Sequence, residues 1–157
     1  MNIHKRYMRE AIKLSRMMMR KNQGGPFGAI IVRRGKIIAR GWNQVTSAND
    51  PTAHAEVVAI RNACDKIGAF QLTGCVLYTS CEPCPMCLAA IYWARPDAIY
   101  YANTKKDAAR IAFDDDFIYQ EIMKPKSRKK IPMRQILRAE ALTVFKEWEL
   151  KPDKIQY

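Results

Sequence analysis

Residues 75–94 have the sequence CVLYTSCEPCPMCLAAIYWA and contain the strongest local signals in the chain. The run CVLYTS (residues 75–80) is short, apolar and rich in strand-forming residues, which predicts a β-strand. A CEPC loop follows. A helix is then predicted from about residue 85 to residue 94, because Pro96 disfavours helical backbone in the residue before it. This order of strand, loop and helix is typical of α/β proteins.

The segments on either side continue the alternation of strands and helices. A tight turn at Arg34 and Gly35 predicts a β-hairpin, and a helix is predicted for residues 54–67 with Gly68 as its stop signal. The segments that predict further strands are FGAIIVR (residues 27–33), KIIARGW (residues 36–42) and DAIYYAN (residues 97–103). The middle of the chain therefore predicts a layered α/β sheet.

The two ends of the chain are predicted to be mainly helical. Apolar residues recur at helical spacing over residues 5–21, which predicts an amphipathic helix. Short helices are predicted around residues 106–111, 132–138 and 141–148. At 157 residues the chain has the length of one ordinary domain, so a single domain over residues 1–157 is expected.

Composition and hydropathy exclude several classes of protein. Hydrophobic residues make up 48% and charged residues 27% of the chain, which is ordinary for a globular protein and unlike a disordered one. No apolar run approaches the ~20 residues of a membrane helix. The N-terminus also lacks the features of a signal peptide. A cytoplasmic protein with no membrane contact is expected.

The chain is strongly basic, with a formal net charge of +12. Part of this charge lies in the run KPKSRKK (residues 124–130), which is typical of nucleic-acid contacts. A solvated basic loop on an enzyme explains the same run, and we favour that interpretation over nucleic-acid binding.

Two short fragments contain the residues of a metal site. PTAHAEV holds His54, and EPCPMC holds Cys84 and Cys87. One imidazole and two thiolates make a three-ligand zinc site, which leaves the fourth position to water or hydroxide. The spacing of the two cysteines places both sulfurs on one face of a first helical turn, whose positive end favours thiolates. We therefore predict one zinc ion per chain.

Glu56 lies two residues after the histidine and is predicted to move protons rather than to bind the metal. Zinc lowers the pKa of a bound water towards ~7, and a neighbouring carboxylate can accept its proton and pass it to a ring nitrogen and then to a departing amine. H-x-E followed by P-C-x-x-C, with the glutamate outside the ligand set, is a known signature of zinc nucleobase deaminases.

Other uses of the five cysteines are open at this stage. Cys81 could complete a closed structural zinc site, although Pro83 argues against three cysteines on one helical face. An iron–sulfur site lacks a fourth cysteine at a known spacing. Cys64 and Cys75 are expected to be small core residues.

At these motifs the chain resembles the cytidine deaminase superfamily, and over nearly its whole length it resembles the small bacterial guanine deaminases. The zinc motifs alone are shared with tRNA adenosine deaminases and cytosine deaminases, whereas FDDDFIY (residues 113–119) and the C-terminal tyrosine favour the guanine deaminases. The resemblance implies a three-layer α/β/α fold with a mixed five-stranded sheet. It also implies hydrolysis of guanine, by attack at C2, to xanthine and ammonia.

The same resemblance implies a set of substrate-binding residues. Asn43 would bind the purine by hydrogen bonding, Phe27 would lie against a face of the ring, Asp115 would contact the amidine edge, and Tyr157 would act as a lid. Trp93 is expected to line the same pocket. Each has a structural alternative: Asn43 could stabilise a loop, the aromatic residues could be core, and an aspartate could cap a helix.

Assembly and function remain partly open. The resemblance implies a homodimer in which a C-terminal segment, about residues 130–157, is exchanged between subunits. The main alternative function is a tRNA-editing adenosine deaminase, favoured by the positive charge and the shared zinc motif. A third possibility is a zinc-stabilised nucleic-acid-binding module without catalysis. The C-terminal lid suits a free base better than a polynucleotide, which favours guanine.

Overall fold

The computed structural model describes residues 3–156, and these divide into two compact units, one ending at Asp115 and the other beginning at Asp116. The first unit contains α1 (Ile3–Arg20), β1 (Gly28–Arg33), β2 (Lys36–Trp42), α2 (Val45–Ala48), α3 (Ala55–Ile67), β3 (Cys75–Cys81), α4 (Pro85–Ala94), β4 (Ala98–Asn103) and α5 (Lys105–Ala109). The second contains α6 (Asp116–Met123), a 3₁₀ turn (Lys126–Arg128) and α7 (Arg138–Leu150). The expectation of a single domain stays a prediction.

The four strands form one mixed sheet in the order β2-β1-β3-β4. β1 is antiparallel to both β2 and β3, whereas β3 and β4 are parallel. The predicted hairpin is present, and its turn residues Arg34 and Gly35 have φ values of 49° and 72°. Positive φ at both turn residues gives the backbone twist that a tight hairpin needs. Because β3 pairs with β1 on one side and with β4 on the other, it is an inner strand.

The predicted number of strands is wrong. Within residues 3–156 the sheet has four strands instead of five. After β4 the chain turns into α5, whose first turn is closed by a capping box between Thr104 and Asp107. Reciprocal side-chain bonds of this kind stabilise the start of a helix. The mixed character of the sheet and the layered α/β architecture are confirmed.

Helices cover both faces of the sheet. Tyr7, Ala11 and Leu14 of α1 pack against one face, together with Ile30 and Tyr78. On the other face, α3 and α4 bury a second cluster that includes Ala29, Ile31, Ala55, Ala59, Leu77 and Ile91. Neighbouring strand residues such as Ala29 and Ile30 belong to opposite clusters, because successive side chains of a strand point to opposite faces.

Gly41 sets how closely α3 approaches the sheet. A Cβ atom at this position would lie 2.2 Å from the backbone oxygen of Ala55 and 2.4 Å from the backbone nitrogen of Ala59. Any side chain would therefore push the first turn of α3 away from β2. That turn carries Glu56 and follows His54, so the glycine determines where both side chains lie.

The last third of the chain departs from its prediction. The helix near residues 106–111 is present as α5, and the one predicted for residues 141–148 is α7. No helix forms over residues 132–137, and α7 starts only after Leu137, whose left-handed φ of 52° interrupts helical backbone. α6 was not predicted. Its signal is Asp116 in the first turn, since a carboxylate there interacts favourably with the helix dipole.

Most of the positive charge lies elsewhere than in residues 124–130. The first 40 residues contain eleven lysines and arginines and a single acidic residue, Glu10. In residues 124–130, Lys124 pairs with Glu121, Lys129 donates to the Glu121 carbonyl, and the backbone of Lys130 donates to the Glu121 carboxylate. These bonds tie the basic run to α6. Among the described residues, no helix is both long enough and apolar enough to cross a membrane.

Candidate active site

The predicted metal ligands lie at the starts of two helices. His54 immediately precedes α3 and Cys84 immediately precedes α4, and both have extended backbone (φ −70°, ψ 156° and φ −66°, ψ 168°). Pro85 occupies the first turn of α4, where its lack of an N–H costs nothing. As a result, the ligand atoms of His54, Cys84 and Cys87 all lie within 4.8 Å of one another.

The electrostatics of this group suit a divalent metal. The Nδ1 atom of His54 lies 3.5 Å from the Sγ atom of Cys84. The pKa of the Cys84 thiol falls to about 4, chiefly because Cys87 donates a hydrogen bond to it and also because His54 does. The same bond to Cys84, together with burial, raises the pKa of Cys87. A thiolate, a second thiol and an imidazole at this separation are a donor set that fits zinc.

Glu56 lies in the first turn of α3 and is only 5% exposed. Its Oε1 atom accepts a 2.6 Å hydrogen bond from the hydroxyl of Thr79 on β3. Burial is the main cause of the raised pKa of its carboxyl group. The carboxylate is outside the group of clustered ligand atoms, which comprises His54, Cys84 and Cys87. The carboxyl group also contacts Cys87, and its role as a proton carrier stays a prediction.

Cys81 is separate from the metal ligands, although it is only three residues from Cys84. Its buried thiol donates to the backbone oxygen of Thr104 at 3.7 Å. Burial is the main reason that its pKa rises to about 11, so it remains a neutral thiol near pH 7. This geometry argues against a closed site with Cys81 as the fourth ligand. Cys75 is buried in the core and Cys64 packs against it, as expected.

Comparison with known proteins identifies the family. Residues 1–103 match the cytidine and deoxycytidylate deaminase zinc-binding region. The chain belongs to this deaminase family. It is 53% identical to the guanine deaminase of Bacillus subtilis over 154 residues, which cover 98% of this chain and 99% of that protein. It is 49% identical to the tRNA-specific adenosine deaminase of Agrobacterium fabrum over 76 residues, which cover 48% of this chain and 50% of that protein.

Solved structures agree with the sequence comparison. The X-ray structure of Bacillus subtilis guanine deaminase superposes with a TM-score of 0.96 at 54% identity and covers 100% of this chain and 99% of that one. A guanine deaminase from Nitrosomonas europaea gives a TM-score of 0.67 at 28% identity and covers 92% and 84%. Zinc is the cofactor of this deaminase family, and His54, Cys84 and Cys87 are positioned to bind it.

Asn43 of this deaminase is held rigidly at the end of β2. It is 7% exposed, and its Oδ1 atom accepts bonds from the backbone nitrogens of Gly25 and Val45, both at 3.3 Å. Gly24 has a φ of 146°, and a Cβ there would lie 1.8 Å from the Asn43 backbone oxygen. The side-chain oxygen therefore stabilises the loop, which leaves the Nδ2 group to donate to a ligand. The substrate-binding role of Asn43 stays a prediction.

Phe27, Phe113 and Asp115 all belong to the first unit of the chain. Phe27 and Phe113 pack edge to face, with ring centroids 4.9 Å apart at 86°. Phe113 was missed as a site candidate, although it opens the same FDDD run that contains Asp115. The pKa of Asp115 is raised, first by burial and also by the charge of Cys84. Asp115 therefore interacts electrostatically with the metal ligands Cys84 and His54.

The structure leaves two further predicted site residues untested. Trp93 lies on α4 and is 63% exposed, and its role as a pocket wall stays a prediction. Tyr157 lies outside the described residues.

Proposed function

We propose that this deaminase hydrolyses guanine to xanthine and ammonia. The near full-length relationship to a guanine deaminase carries the proposal, because the match to the tRNA-specific adenosine deaminase of Agrobacterium fabrum spans only 48% of the chain. The zinc site is common to both groups and does not separate them. The discriminating residues are proposed to lie outside the shared motifs, above all Asp115.

The roles of the metal-binding and proton-carrying residues follow from their chemistry. His54, Cys84 and Cys87 hold zinc, which when bound supplies a water of lowered pKa as a nucleophile at neutral pH. Glu56 accepts the proton released as the water oxygen bonds to C2 of guanine. It delivers that proton to a ring nitrogen. Glu56 then takes the proton of the new C2 hydroxyl group and passes it to the exocyclic amine, so that the C2–N bond breaks and ammonia leaves as the C2 carbonyl forms.

Asp115 is proposed to select guanine over adenine. Guanine presents N1–H and an adjacent amino group as donors, which one carboxylate can accept together, whereas adenine presents an acceptor at N1. The pKa of Asp115 is raised, first by partial burial and also by the charge of Cys84, which supports a position of this carboxyl group near the metal ligands. Asn43 complements it, because its free Nδ2 group donates to a ring or carbonyl acceptor of the purine.

Steady-state kinetics with guanine test both the function and this selection. The wild-type protein is expected to release xanthine and ammonia from guanine and far less product from adenine or from a tRNA anticodon stem-loop. Asp115→Asn should lower kcat/KM for guanine. The lost transition-state stabilisation should be about 1.5–3 kcal/mol, the range of a lost hydrogen bond to a charged group. Asp114→Asn is the matched control and should change kcat/KM little. An unchanged kcat/KM in Asp115→Asn removes this residue from the site.

We further infer a homodimer that exchanges residues from about 130 to 157. No residue of α7 is buried, and large apolar side chains are exposed on both sides of its start. The exposed residues are Ile131, Met133, Ile136, Leu137, Val144, Phe145 and Leu150. An apolar surface of this extent is typical of a segment that packs against another chain. A second copy of this chain is the partner that the exchange implies.

Mixed dimers test the exchange directly. Chains with Glu56→Ala and an intact C-terminal segment, here called the tail, would be co-expressed with chains that have Glu56 but lack Tyr157. The mixed dimer would then be isolated. If tails cross between subunits, the site with an intact Glu56 receives an intact tail, and one active site per dimer is rebuilt. A mixed dimer no more active than the dimer lacking Tyr157 on both chains contradicts the exchange.

We also infer a cytoplasmic location, since the thiols of Cys84 and Cys87 persist in a reducing compartment.

A further inference from the structure

The face of β3 that shares a core cluster with α3 contains one hydroxyl in an otherwise apolar row. Cys75, Leu77, Thr79 and Cys81 alternate along this strand and are all buried. Thr79 has no exposed surface. A hydroxyl in such a position costs free energy unless it is hydrogen-bonded, and valine would fill the same volume without that cost. The presence of threonine therefore needs a reason.

The partner of this hydroxyl is Glu56. Thr79 Oγ1 donates to Glu56 Oε1 at 2.6 Å, across 23 residues of sequence. The backbone of Thr79 is held on both sides, since Thr79 pairs with Ala29 of β1 and with Tyr101 of β4. A β-branched side chain has little rotational freedom, so the hydroxyl is fixed relative to the sheet. The carboxylate is thus anchored to one of the two inner strands of the sheet.

The Thr79 hydroxyl occupies Oε1 of Glu56. The carboxyl group also accepts a bond from its own backbone N–H and contacts Cys87, but neither of these groups ties it to the sheet. Among the described side chains, Thr79 is then the hydroxyl donor that keeps the carboxylate oriented. We propose that Thr79 is a positioning residue that holds Oε1 of Glu56 so that Oε2 faces the water and the purine. This inference rests on the proposed proton-carrying role of Glu56.

Three variants on β3 test the proposal. Thr79→Val keeps the shape and removes the donor, Thr79→Ser restores the donor, and Tyr78→Phe is the control. Tyr78 is the next residue on the same strand, and its hydroxyl contacts His4 on the opposite face of the sheet. We expect Thr79→Val to lower kcat for guanine by roughly 10- to 100-fold with KM within about twofold, as for a lost bond to a charged group. Thr79→Ser should recover most of kcat, and Tyr78→Phe should leave it unchanged.

Two further measurements separate positioning from a general structural effect. Zinc content should remain one ion per chain in all three variants. A crystal structure of Thr79→Val should show the Glu56 carboxylate in a changed or mixed rotamer. If Thr79→Val keeps wild-type kcat, or if Thr79→Ser is as impaired as Thr79→Val, the proposal is wrong.

A double-mutant cycle connects the two residues. If Thr79 acts through Glu56, adding Thr79→Val to Glu56→Gln should lower the residual kcat no further, because the proton carrier is already lost. A further drop of tenfold or so would mean that Thr79 acts by another route. If instead Glu56→Gln alone retains wild-type turnover, the role of Glu56 is what fails. A fully active Thr79→Val beside an inactive Glu56→Gln contradicts only the positioning role.

Discussion

Glu56→Gln is expected to keep one zinc ion per chain while lowering guanine turnover by about two to four orders of magnitude, the usual contribution of a general acid–base group. The amide has nearly the shape of the carboxylate and can still accept the bond from Thr79, but it cannot carry a proton. Because Glu56 is outside the cluster of ligand atoms, the metal should be unaffected. Metal analysis and steady-state kinetics on the same preparation measure both quantities.

A second carboxylate provides the matched control for this substitution. Glu82 lies between the zinc motif and β3, and its carboxylate accepts a 2.9 Å bond from the backbone nitrogen of Lys105. Glu82→Gln keeps an acceptor there and should retain both zinc and turnover. Two results would contradict the assignment of Glu56: zinc lost together with activity, or near-normal turnover in Glu56→Gln.

Cys84→Ser is expected to lose zinc and to lower turnover by more than about 1000-fold, because water without the metal has a pKa near ~15.7 instead of ~7. Cys84 has the thiol whose pKa is lowest in the cluster, about 4, so it is the ligand already ionised at neutral pH. A serine hydroxyl does not ionise under these conditions and is a poor zinc ligand. Added zinc should not restore the variant.

Cys81→Ser is the control, since this cysteine is in the same motif but its thiol donates to Thr104. The variant should keep zinc and turnover. After a chelator has removed the metal, added zinc should restore the turnover of the wild-type protein and of Cys81→Ser. It should not restore the turnover of Cys84→Ser. If Cys81→Ser loses zinc as completely as Cys84→Ser, Cys81 is a fourth ligand and the site is closed and structural.

The metal ligands and the proton carrier could be predicted because their signals are local. Cys84 and Cys87 are one helical turn apart, and His54 and Glu56 span the start of another helix. In both cases the covalent spacing brings the side chains to one end of a helix whatever the rest of the fold does. The same holds for the hairpin turn at Arg34 and Gly35, which is decided by two adjacent residues.

The errors occurred where local signals compete with one another. α6 was not predicted, although an aspartate capping a helix was one interpretation of residues 114–116, and α6 begins at Asp116. The helix expected at residues 132–138 is absent, and α7 begins only after the left-handed Leu137. The fifth strand was implied by a family resemblance, whereas the described residues form a sheet of four strands.

Contacts between distant residues were decided by the tertiary structure alone. Thr79 meets Glu56 only because the packing of α3 on the sheet brings this carboxylate within reach of β3, and Phe113 meets Phe27 across 86 residues of sequence. Gly41 permits the close approach that brings α3 to the sheet. The sequence by itself determined the chemistry of the zinc site, since ligand type and helical spacing are properties of short segments. The orientation of Glu56 required the packing of α3 on the sheet, because a hydrogen bond is formed only where the fold brings its donor and acceptor within reach.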